Sequence, residues 1–252
     1  MSNTLYTKSF ARKAGGFFNS LFLPDVCCIC GDIIKNFEDV PKKIKFRGIN
    51  GKCFDSPYCE FCTRDLERAL GPWRRTIFPD IPDAIFLFDY TYETIKRSLH
   101  HIKICKCTKC TAFFAGVIKD YVYALAGNDG FLTYIPRSVR LYEKYGFDQS
   151  ERIVRTLVLN HPDIRYQNLF RRRKNIDEQK DLPFEERFNN AEKALEVIKE
   201  NGFGIPGRIV VFDDIITTGA TAKAAAKLLK KSEAGKIFML FVAGTNEFKE
   251  RS

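Results

Sequence analysis

The segment IVVFDDIITTGAT, residues 209–221, places two adjacent carboxylates, Asp213 and Asp214, directly after a run of branched and aromatic apolar residues. A threonine-rich turn follows the acids, and a helix-forming run, AKAAAKLLKK, follows the turn. This order predicts a buried strand, a turn and a helix, with the acids at the carboxyl end of the strand. Ligands of open parallel sheets bind at that end, so we expect the acids to face a crevice.

The turn and the acids suit different parts of one ligand. Gly219 allows close approach of the backbone, and the free N–H groups of the following helix form a cradle for a phosphate. Carboxylates accept hydrogen bonds from the vicinal hydroxyls of a ribose, and a Mg²⁺ ion that bridges these hydroxyls and a diphosphate balances the negative charge. A ribose with a 5-phosphate and a 1-diphosphate meets these demands. The residues predicted to bind it are Asp213, Asp214, Thr217, Thr218, Gly219, Ala220 and Thr221.

Two C-x-x-C pairs indicate a metal site near the start of the chain. The pairs are separated by 28 residues and consist of Cys27, Cys30, Cys59 and Cys62. Two such turns supply the four thiolates of a closed tetrahedral Zn²⁺ site, which is structural rather than catalytic. Cys28 or Cys53 could replace a member of the quartet.

A third cluster, LHHIKICKCTKC, combines cysteines and histidines at no familiar metal-ligand spacing. Its members are His100, His101, Cys105, Cys107 and Cys110. The interleaved lysines, at positions 103, 106 and 109, are expected to repel a cation. These thiols are therefore interpreted as exposed or partly packed loop residues, with a second metal site as the alternative.

Bulk composition bounds the class of protein. The chain has 252 residues, of which 45% are hydrophobic and 29% charged, enough for one α/β core and a small accessory module. The formal net charge of +10 favours polyanionic or phosphorylated partners. A cytoplasmic location is expected because neither a signal peptide nor a membrane-spanning run is recognised. In such a chain, nine cysteines favour reduced, metal-binding thiols over disulfides.

The first 24 residues have a basic start and an apolar patch, as signal peptides do. Asn19 and Ser20 interrupt the patch, and no small-residue cleavage pattern follows. The apolar residues fall on one helical face, which predicts an amphipathic helix that docks on its own protein. They are Phe10, Ala14, Phe17, Phe18, Leu21 and Phe22. No run approaches the roughly 18 apolar residues that cross a bilayer, so no membrane insertion is expected.

From about residue 80, strand and helix patterns alternate, which predicts an α/β fold with a parallel sheet and helices on both faces. The predicted strands are DAIFLFDYT, FLTYIPRS, GRIVVFDD and KIFMLFVAG. The predicted helices are ETIKRSLHHIK, CTAFFAGVIKDYVYALA, FDQSERIVRTLVLN, PFEERFNNAEKALEVIKE and ATAKAAAKLLKKS. Asp148 and Glu151 form a capping-box pattern at the start of the third helix. The boundary between an N-terminal helix and zinc module (1–70) and the α/β domain (71–252) is placed at GPWRR.

The motif at residues 209–221 resembles the phosphoribosyl-diphosphate (PRPP) binding motif of the type I phosphoribosyltransferases. Other segments follow in the order seen in the ComF family, which are competence-associated, phosphoribosyltransferase-like proteins. They are LFLPDVCCICG, the second C-x-x-C, LHHIK, IPRSVRLYEKYGFDQS and FRRRKNIDEQKDLPFEERFNNAEKAL. The resemblance spans roughly residues 18–245 and implies a type I phosphoribosyltransferase-like parallel sheet flanked by helices.

The same resemblance implies roles for two further segments. PRSVRLYEKYGFDQ corresponds to the diphosphate-binding loop, whose implied contacts are Arg137, Arg140, Lys144 and Gly146. The stretch from Arg171 to Asn190 corresponds to a flexible hood over the site, with Arg172 and Lys174 among the implied PRPP contacts.

Several positions depart from the family pattern near this site. Tyr145 and Asp148 stand where relatives tend to have Arg and Asn, so one fixed positive charge is missing. Residues 103–106 replace the common Lys-Tyr-x-Gly turn, and Ile176 replaces a Thr of the hood. These changes leave PRPP binding intact and make efficient turnover less certain.

Two classes of function follow. As a transferase, the protein would displace diphosphate from C1 of the ribose, with Mg²⁺ and the basic loop stabilising the leaving group and Asp213 and Asp214 fixing the sugar as the catalytic pair. As a non-enzymatic competence factor, it would bind single-stranded DNA and use PRPP only as a ligand, or not at all; a PRPP-binding regulator without nucleic acid is a third option. The predicted nucleic-acid contacts are Arg171, Arg172, Arg173 and Lys174. Other DNA-uptake proteins are expected partners, and the acceptor and the oligomeric state, a homodimer being one option, stay open.

Overall fold

The computed structural model describes residues 26–34, 44–48, 51–76, 84–173, 184–198 and 207–245. The strands are β1 (Lys45–Arg47), β2 (Cys53–Asp55), β3 (Leu70–Thr76), β4 (Ala84–Asp89), β5 (Phe131–Tyr134), β6 (Phe170–Arg172), β7 (Leu195–Val197), β8 (Arg208–Ile216) and β9 (Lys236–Gly244). The helices are α1 (Glu60–Ala69), α2 (Glu93–Cys105), α3 (Thr108–Ala126), α4 (Val139–Tyr145), α5 (Gln149–Asn160), α6 (Phe184–Ala194) and α7 (Ala220–Lys231). The predicted N-terminal amphipathic helix lies outside these ranges.

Five strands form the central sheet in the order β3-β4-β9-β8-β5. The four strands from β4 to β5 are parallel, and β3 pairs antiparallel with β4 at the edge. Ile209, Val210, Val211 and Phe212 of β8 are all fully buried, because both faces of the sheet are covered. Such a strand reads as a continuous apolar run rather than an alternating one, which is the pattern that the sequence shows.

Successive side chains of the central strands point into two separate cores. Val210 and Phe212 join the first core, to which α1, α2, α3 and α5 contribute their apolar faces. Ile209 and Val211 join the second, which α7 covers with Ala222, Ala225 and Leu229. This alternation follows from the period of two in a strand. The α/β prediction, with helices on both faces of a mostly parallel sheet, is confirmed.

The N-terminal segment packs into the first core rather than standing apart from it. Phe46 of β1 lies 6.0 Å from Phe88 of β4 and 5.0 Å from Phe113 of α3, measured between ring centroids. Tyr58 contacts the same Phe113 ring edge-on at 5.3 Å. Aromatic pairs at these separations add to the stabilisation that burial alone provides. The division at residue 70 stays a prediction.

Three elements differ from the sequence-based expectations. The predicted diphosphate loop contains a short helix, α4, which Gly146 ends in the left-handed conformation with φ 73°. The helix predicted for residues 183–200 ends at Ala194, and the chain continues as β7, which pairs with β6. The segment GPWRR lies in β3, an edge strand of the sheet. In the last two cases strand pairing overrides a local signal.

Gly244 lies at the carboxyl edge of the sheet, where β4, β8 and β9 pack closely together. A Cβ atom at Gly244 would lie 2.7 Å from Ile216 Cγ2 and 2.8 Å from Phe86 Cγ, closer than packed carbon atoms approach. Gly244→Ala is therefore expected to lower the free energy of unfolding by about 1–3 kcal/mol, the usual cost of overpacking. Urea unfolding would measure this loss.

Gly207→Ala is the matched control, because a Cβ there meets nothing within 4 Å and the residue is exposed. Equal stabilities of the two variants would contradict the crowding at Gly244.

Candidate active site

Asp213 and Asp214 lie within β8, near its carboxyl end, rather than beyond the strand. Both side chains are half-buried. Asp213 Oδ1 accepts hydrogen bonds from Ser150 Oγ and from the Asp214 N–H, both at 2.9 Å. Asp214 Oδ1 accepts from the Ile215 N–H at 2.8 Å. The two side chains are therefore held in fixed orientations at the carboxyl edge of the sheet.

The turn that follows the acids ends in a helix start without a side-chain cap. Gly219 is the N-cap residue of α7 and adopts the left-handed conformation with φ 72°. The first N–H groups of a helix have no partner within it, and the N-cap glycine has no side chain that could bond them. Thr217 is exposed, whereas Thr218 and Thr221 are half-buried beside these groups. The first turn of α7 therefore has the donors and the dipole that bind a phosphate.

A third carboxylate, Asp148, organises the segment between β5 and α5. It caps α5 by accepting from the Glu151 N–H at 3.1 Å, as the capping-box pattern predicts, and it also accepts from the Arg137 N–H. The Arg137 guanidinium donates to the Phe147 carbonyl at 3.3 Å and lies over the Tyr145 ring at 5.2 Å. Asp148 thus fixes the backbone that carries Arg137.

A cleft of about 340 Å³ opens between one face of α2 and the end of β8. Arg137, Gln149 and Asp214 line one side of it. The other side comes from α2, through Glu93, Lys96, Arg97, Leu99, His100 and Lys103. Gln149 is buried and its Nε2 has no hydrogen-bond partner in the described part of the chain. A buried donor without a partner at a cleft wall is the position where a ligand acceptor would bind.

The contribution of α2 to the cleft was not predicted from the sequence. Lys96, His100 and Lys103 follow each other at intervals of four and three residues, which places them on one helical face. That spacing could have indicated a basic face towards the acids. His100 lines the cleft, and among the described residues neither His100 nor His101 joins a group of metal-ligating atoms.

Two of the implied loop contacts lie away from this cleft. Arg140 and Lys144 are exposed on α4, and neither lines the cleft as far as the structure describes it. Lys144 Nζ lies 5.3 Å from the centre of the Tyr145 ring. The structure therefore brings Arg137 to Asp214, and it leaves Arg140, Lys144 and Gly146 on the neighbouring surface.

The three arginines at positions 171–173, in the segment predicted to be the hood, form contacts within the protein. Arg171 and Arg173 both form ion pairs with Glu196, at 2.6 and 3.1 Å, across the β6–β7 pair. Arg172 Nε donates to the Pro136 carbonyl at 2.8 Å, which ties β6 to the residue before Arg137. Lys174 lies outside the described residues. The guanidinium groups predicted to bind nucleic acid thus have partners within the protein.

The four cysteines of the two C-x-x-C pairs come together as the spacing predicts. The sulfur atoms of Cys27, Cys30, Cys59 and Cys62 all lie within 4.8 Å of one another. Cys59 is the N-cap residue of α1, and its sulfur accepts from the Cys62 N–H at 3.5 Å. Burial raises the pKa of Cys30 to about 12 and that of Cys62 further, so these thiols would need a cation to ionise at neutral pH. This cluster can hold a metal ion.

Burial and mutual repulsion disfavour the charged forms of the three acids. Burial, followed by the charge of Asp214, raises the pKa of Asp213 well above its usual range. Burial also raises the pKa of Asp214, which the charges of Arg137 and Lys103 partly offset. Asp148 has a raised pKa for the same reason, burial. A cation or a hydroxyl donor that binds here would relieve this desolvation.

The structure resembles solved purine phosphoribosyltransferases at low similarity. Adenine phosphoribosyltransferase from Leishmania donovani matches with a TM-score of 0.38 and 11% identity, covering 72% of this chain and 93% of that chain. The Saccharomyces cerevisiae adenine enzyme matches with a TM-score of 0.34 and 17% identity over 76% of this chain and 93% of that chain. The Staphylococcus aureus hypoxanthine enzyme matches with a TM-score of 0.32 and 11% identity over 56% of this chain and 67% of that chain.

No protein-family model matches the chain, and no curated protein matches its sequence. In the described residues no helix is both long and apolar enough to span a membrane.

The raised pKa values give a signed prediction for stability. An acid whose pKa is higher in the folded state keeps its proton there, so stability falls as pH rises from the ordinary value of 3.8 through the folded value. Asp213→Asn removes this loss and still accepts the Ser150 hydrogen bond. Its melting temperature at pH 8 should exceed that of the wild type by roughly 2–4 °C, about 1 kcal/mol, and the gap should shrink at pH 5.

Thermal unfolding of both proteins across this pH range would measure the effect. Asp129→Asn, an exposed acid at the opposite end of the sheet, is the control and should leave the wild-type pH profile unchanged. A pH-independent gap for Asp213→Asn would contradict the electrostatic explanation.

Proposed function

We propose that the chain is a PRPP-binding, phosphoribosyltransferase-like protein of the ComF type, connected with DNA uptake. The observation that supports this most is the arrangement at one sheet edge. The acid pair of β8 comes shortly before the first turn of α7, and Asp214 lines a cleft with basic side chains. A phosphorylated sugar is the ligand class that needs hydroxyl acceptors, phosphate donors and cations together.

In this proposal each part of PRPP has its own partner. The 5-phosphate binds the turn of residues 217–221, and the ribose hydroxyls donate to Asp213 and Asp214. Arg137 and Lys103, whose charges already act on Asp214, offset the diphosphate. Mg²⁺, when bound with PRPP, would lie near Asp213 and Asp214 and supply positive charge to the leaving group.

The reaction class is displacement of diphosphate from C1 of the ribose. Fixed cations around the diphosphate stabilise the charge that develops as the C1–O bond breaks. Lys96 and Arg97 lie at the same cleft, with Glu93 close to both, at 4.0 and 3.2 Å. Since Glu93 offsets part of this charge, we propose that Arg137 and Lys103 carry most of the leaving-group stabilisation.

Zinc in the four-cysteine cluster completes the proposal. Four thiolates within 4.8 Å of one another suit the tetrahedral preference of Zn²⁺, and no fifth ligand is needed. The site would then stabilise the N-terminal segment, whose aromatic residues pack on β4 and α3.

Single-stranded DNA binding stays a weaker hypothesis. Because Arg171 and Arg173 share Glu196, phosphate contacts at these residues would have to replace existing ion pairs. Exposed ion pairs contribute little and exchange readily, so they reduce the proposed affinity without abolishing it.

Calorimetry with PRPP and Mg²⁺ tests the ligand assignment. Hydrogen bonds to charged groups contribute about 1.5–3 kcal/mol each, so Asp213→Asn combined with Asp214→Asn should weaken PRPP binding by about tenfold or more. The same variant should keep its fold and lose the rise in melting temperature that the ligand gives the wild type.

Asp129→Asn should bind PRPP as the wild type does. If millimolar PRPP with Mg²⁺ neither releases heat nor shifts the melting temperature of the wild-type chain, the PRPP assignment fails.

Metal analysis tests the zinc assignment. Cys30→Ser, which changes the exposed member of the four-cysteine cluster, should lower the zinc content by about one equivalent per chain. Cys53→Ser, also exposed but outside the cluster, should keep the wild-type content. Equal zinc contents of the two variants would move the metal to other ligands.

A further inference from the structure

A second group of three sulfur atoms lies outside the four-cysteine cluster. The sulfurs of Cys28, Cys107 and Cys110 all lie within 4.8 Å of one another. Cys107 and Cys28 approach to 3.5 Å although 79 positions separate them in the chain. Neither the acid cleft nor the four-cysteine cluster uses any of the three residues.

We propose that Cys28, Cys107 and Cys110 form a second thiolate site that binds Zn²⁺. Three convergent sulfurs are soft ligands, which select thiophilic ions such as zinc over hard ions such as Mg²⁺. Cys28 and Cys27 are adjacent, so the turn that starts the first site also supplies a ligand to the second.

The second site repeats the local geometry of the first. Cys107 is the N-cap residue of α3, and its sulfur accepts from the Cys110 N–H at 3.4 Å. Cys59 and Cys62 have the same relation at the start of α1, at 3.5 Å. Cys107-Thr-Lys-Cys110 is itself a C-x-x-C sequence, now placed at a helix start. The expectation of a loop thiol is wrong for Cys110, which is fully buried in α3.

The neighbouring lysines do not oppose such a site. Three thiolates around Zn²⁺ carry a net charge of −1, so the complex is an anion rather than a cation. The start of α3 and the lysines at positions 106 and 109 provide positive potential, which favours this charge. The lysines would repel a free Zn²⁺ ion, but they attract the anionic complex of Zn²⁺ with three thiolates.

The surroundings leave one coordination position for solvent. In the described chain no histidine or carboxylate joins the three sulfurs. Cys28 and Cys107 are half-buried, so water can reach the ion from their side. Tyr58 is fully buried near Cys110, and its hydroxyl has no hydrogen-bond partner by geometry among the described residues. Donation from this hydroxyl to the Cys110 thiolate would satisfy it once the metal is bound.

Metal content tests the proposal on the full chain. Wild-type protein purified from zinc-supplemented medium under reducing conditions should contain about two zinc ions, one per site. Cys107→Ser should contain about one, and Cys107→Ser combined with Cys30→Ser should contain almost none. Elemental analysis together with native mass spectrometry would count the ions.

Cys105→Ser is the matched control, since Cys105 is exposed and lies two positions from Cys107. It should keep both ions. If Cys107→Ser fails to fold, Cys28→Ser tests the same site. The number of zinc ions in the wild-type chain tests the proposal without any variant.

Three results would overturn the proposal. The first is a wild-type chain that holds one zinc, all of it lost in Cys30→Ser. The second is that the metal ion lost in Cys107→Ser is copper rather than zinc. The third is a Cys28–Cys107 disulfide in peptides from the protein as purified under reducing conditions.

Discussion

The position of the acid pair depends on β8, a strand whose apolar residues are completely buried. β8 has neighbours on both edges and cores on both faces, so its apolar residues fix the strand against sliding or rotation. Asp213 and Asp214 extend this strand to the sheet edge, where burial raises the pKa of both. Two partly desolvated acids side by side are unfavourable in the free protein, which is typical of groups that a ligand or cation stabilises.

The cleft draws its opposing charges from elements distant in sequence. Arg137 follows β5 and is held by Asp148, whereas Lys103 lies on α2. The aromatic residues Tyr145 and Phe147 lie under several cations, including Arg137, Lys106 and Arg152. These rings reduce the repulsion among like charges that the cleft brings together. Basic side chains can therefore gather near the acids without being neutralised by them.

Local patterns predicted those parts of the fold that local chemistry specifies. The apolar run and acids of β8, the cap at Asp148 and the C-x-x-C pairs were confirmed, because their spacing determines their geometry. The strand β7 and the basic face of α2 were not predicted, since both depend on which surface a helix or a hairpin docks against. Cys28 was foreseen only as an alternative ligand, because its proximity to Cys107 arises from packing between distant segments.

The strand order constrains how the chain can be made. β9 follows every other described strand in sequence, yet it lies between β4 and β8. Until residues 236–244 have been synthesised, these two strands cannot join one sheet, and each presents unpaired N–H and C=O groups along an edge. The cysteines at positions 27–110 are translated well before that step. Metal binding by these cysteines can therefore precede closure of the sheet, whereas the first core is complete only when Leu240 and Val242 of β9 join it.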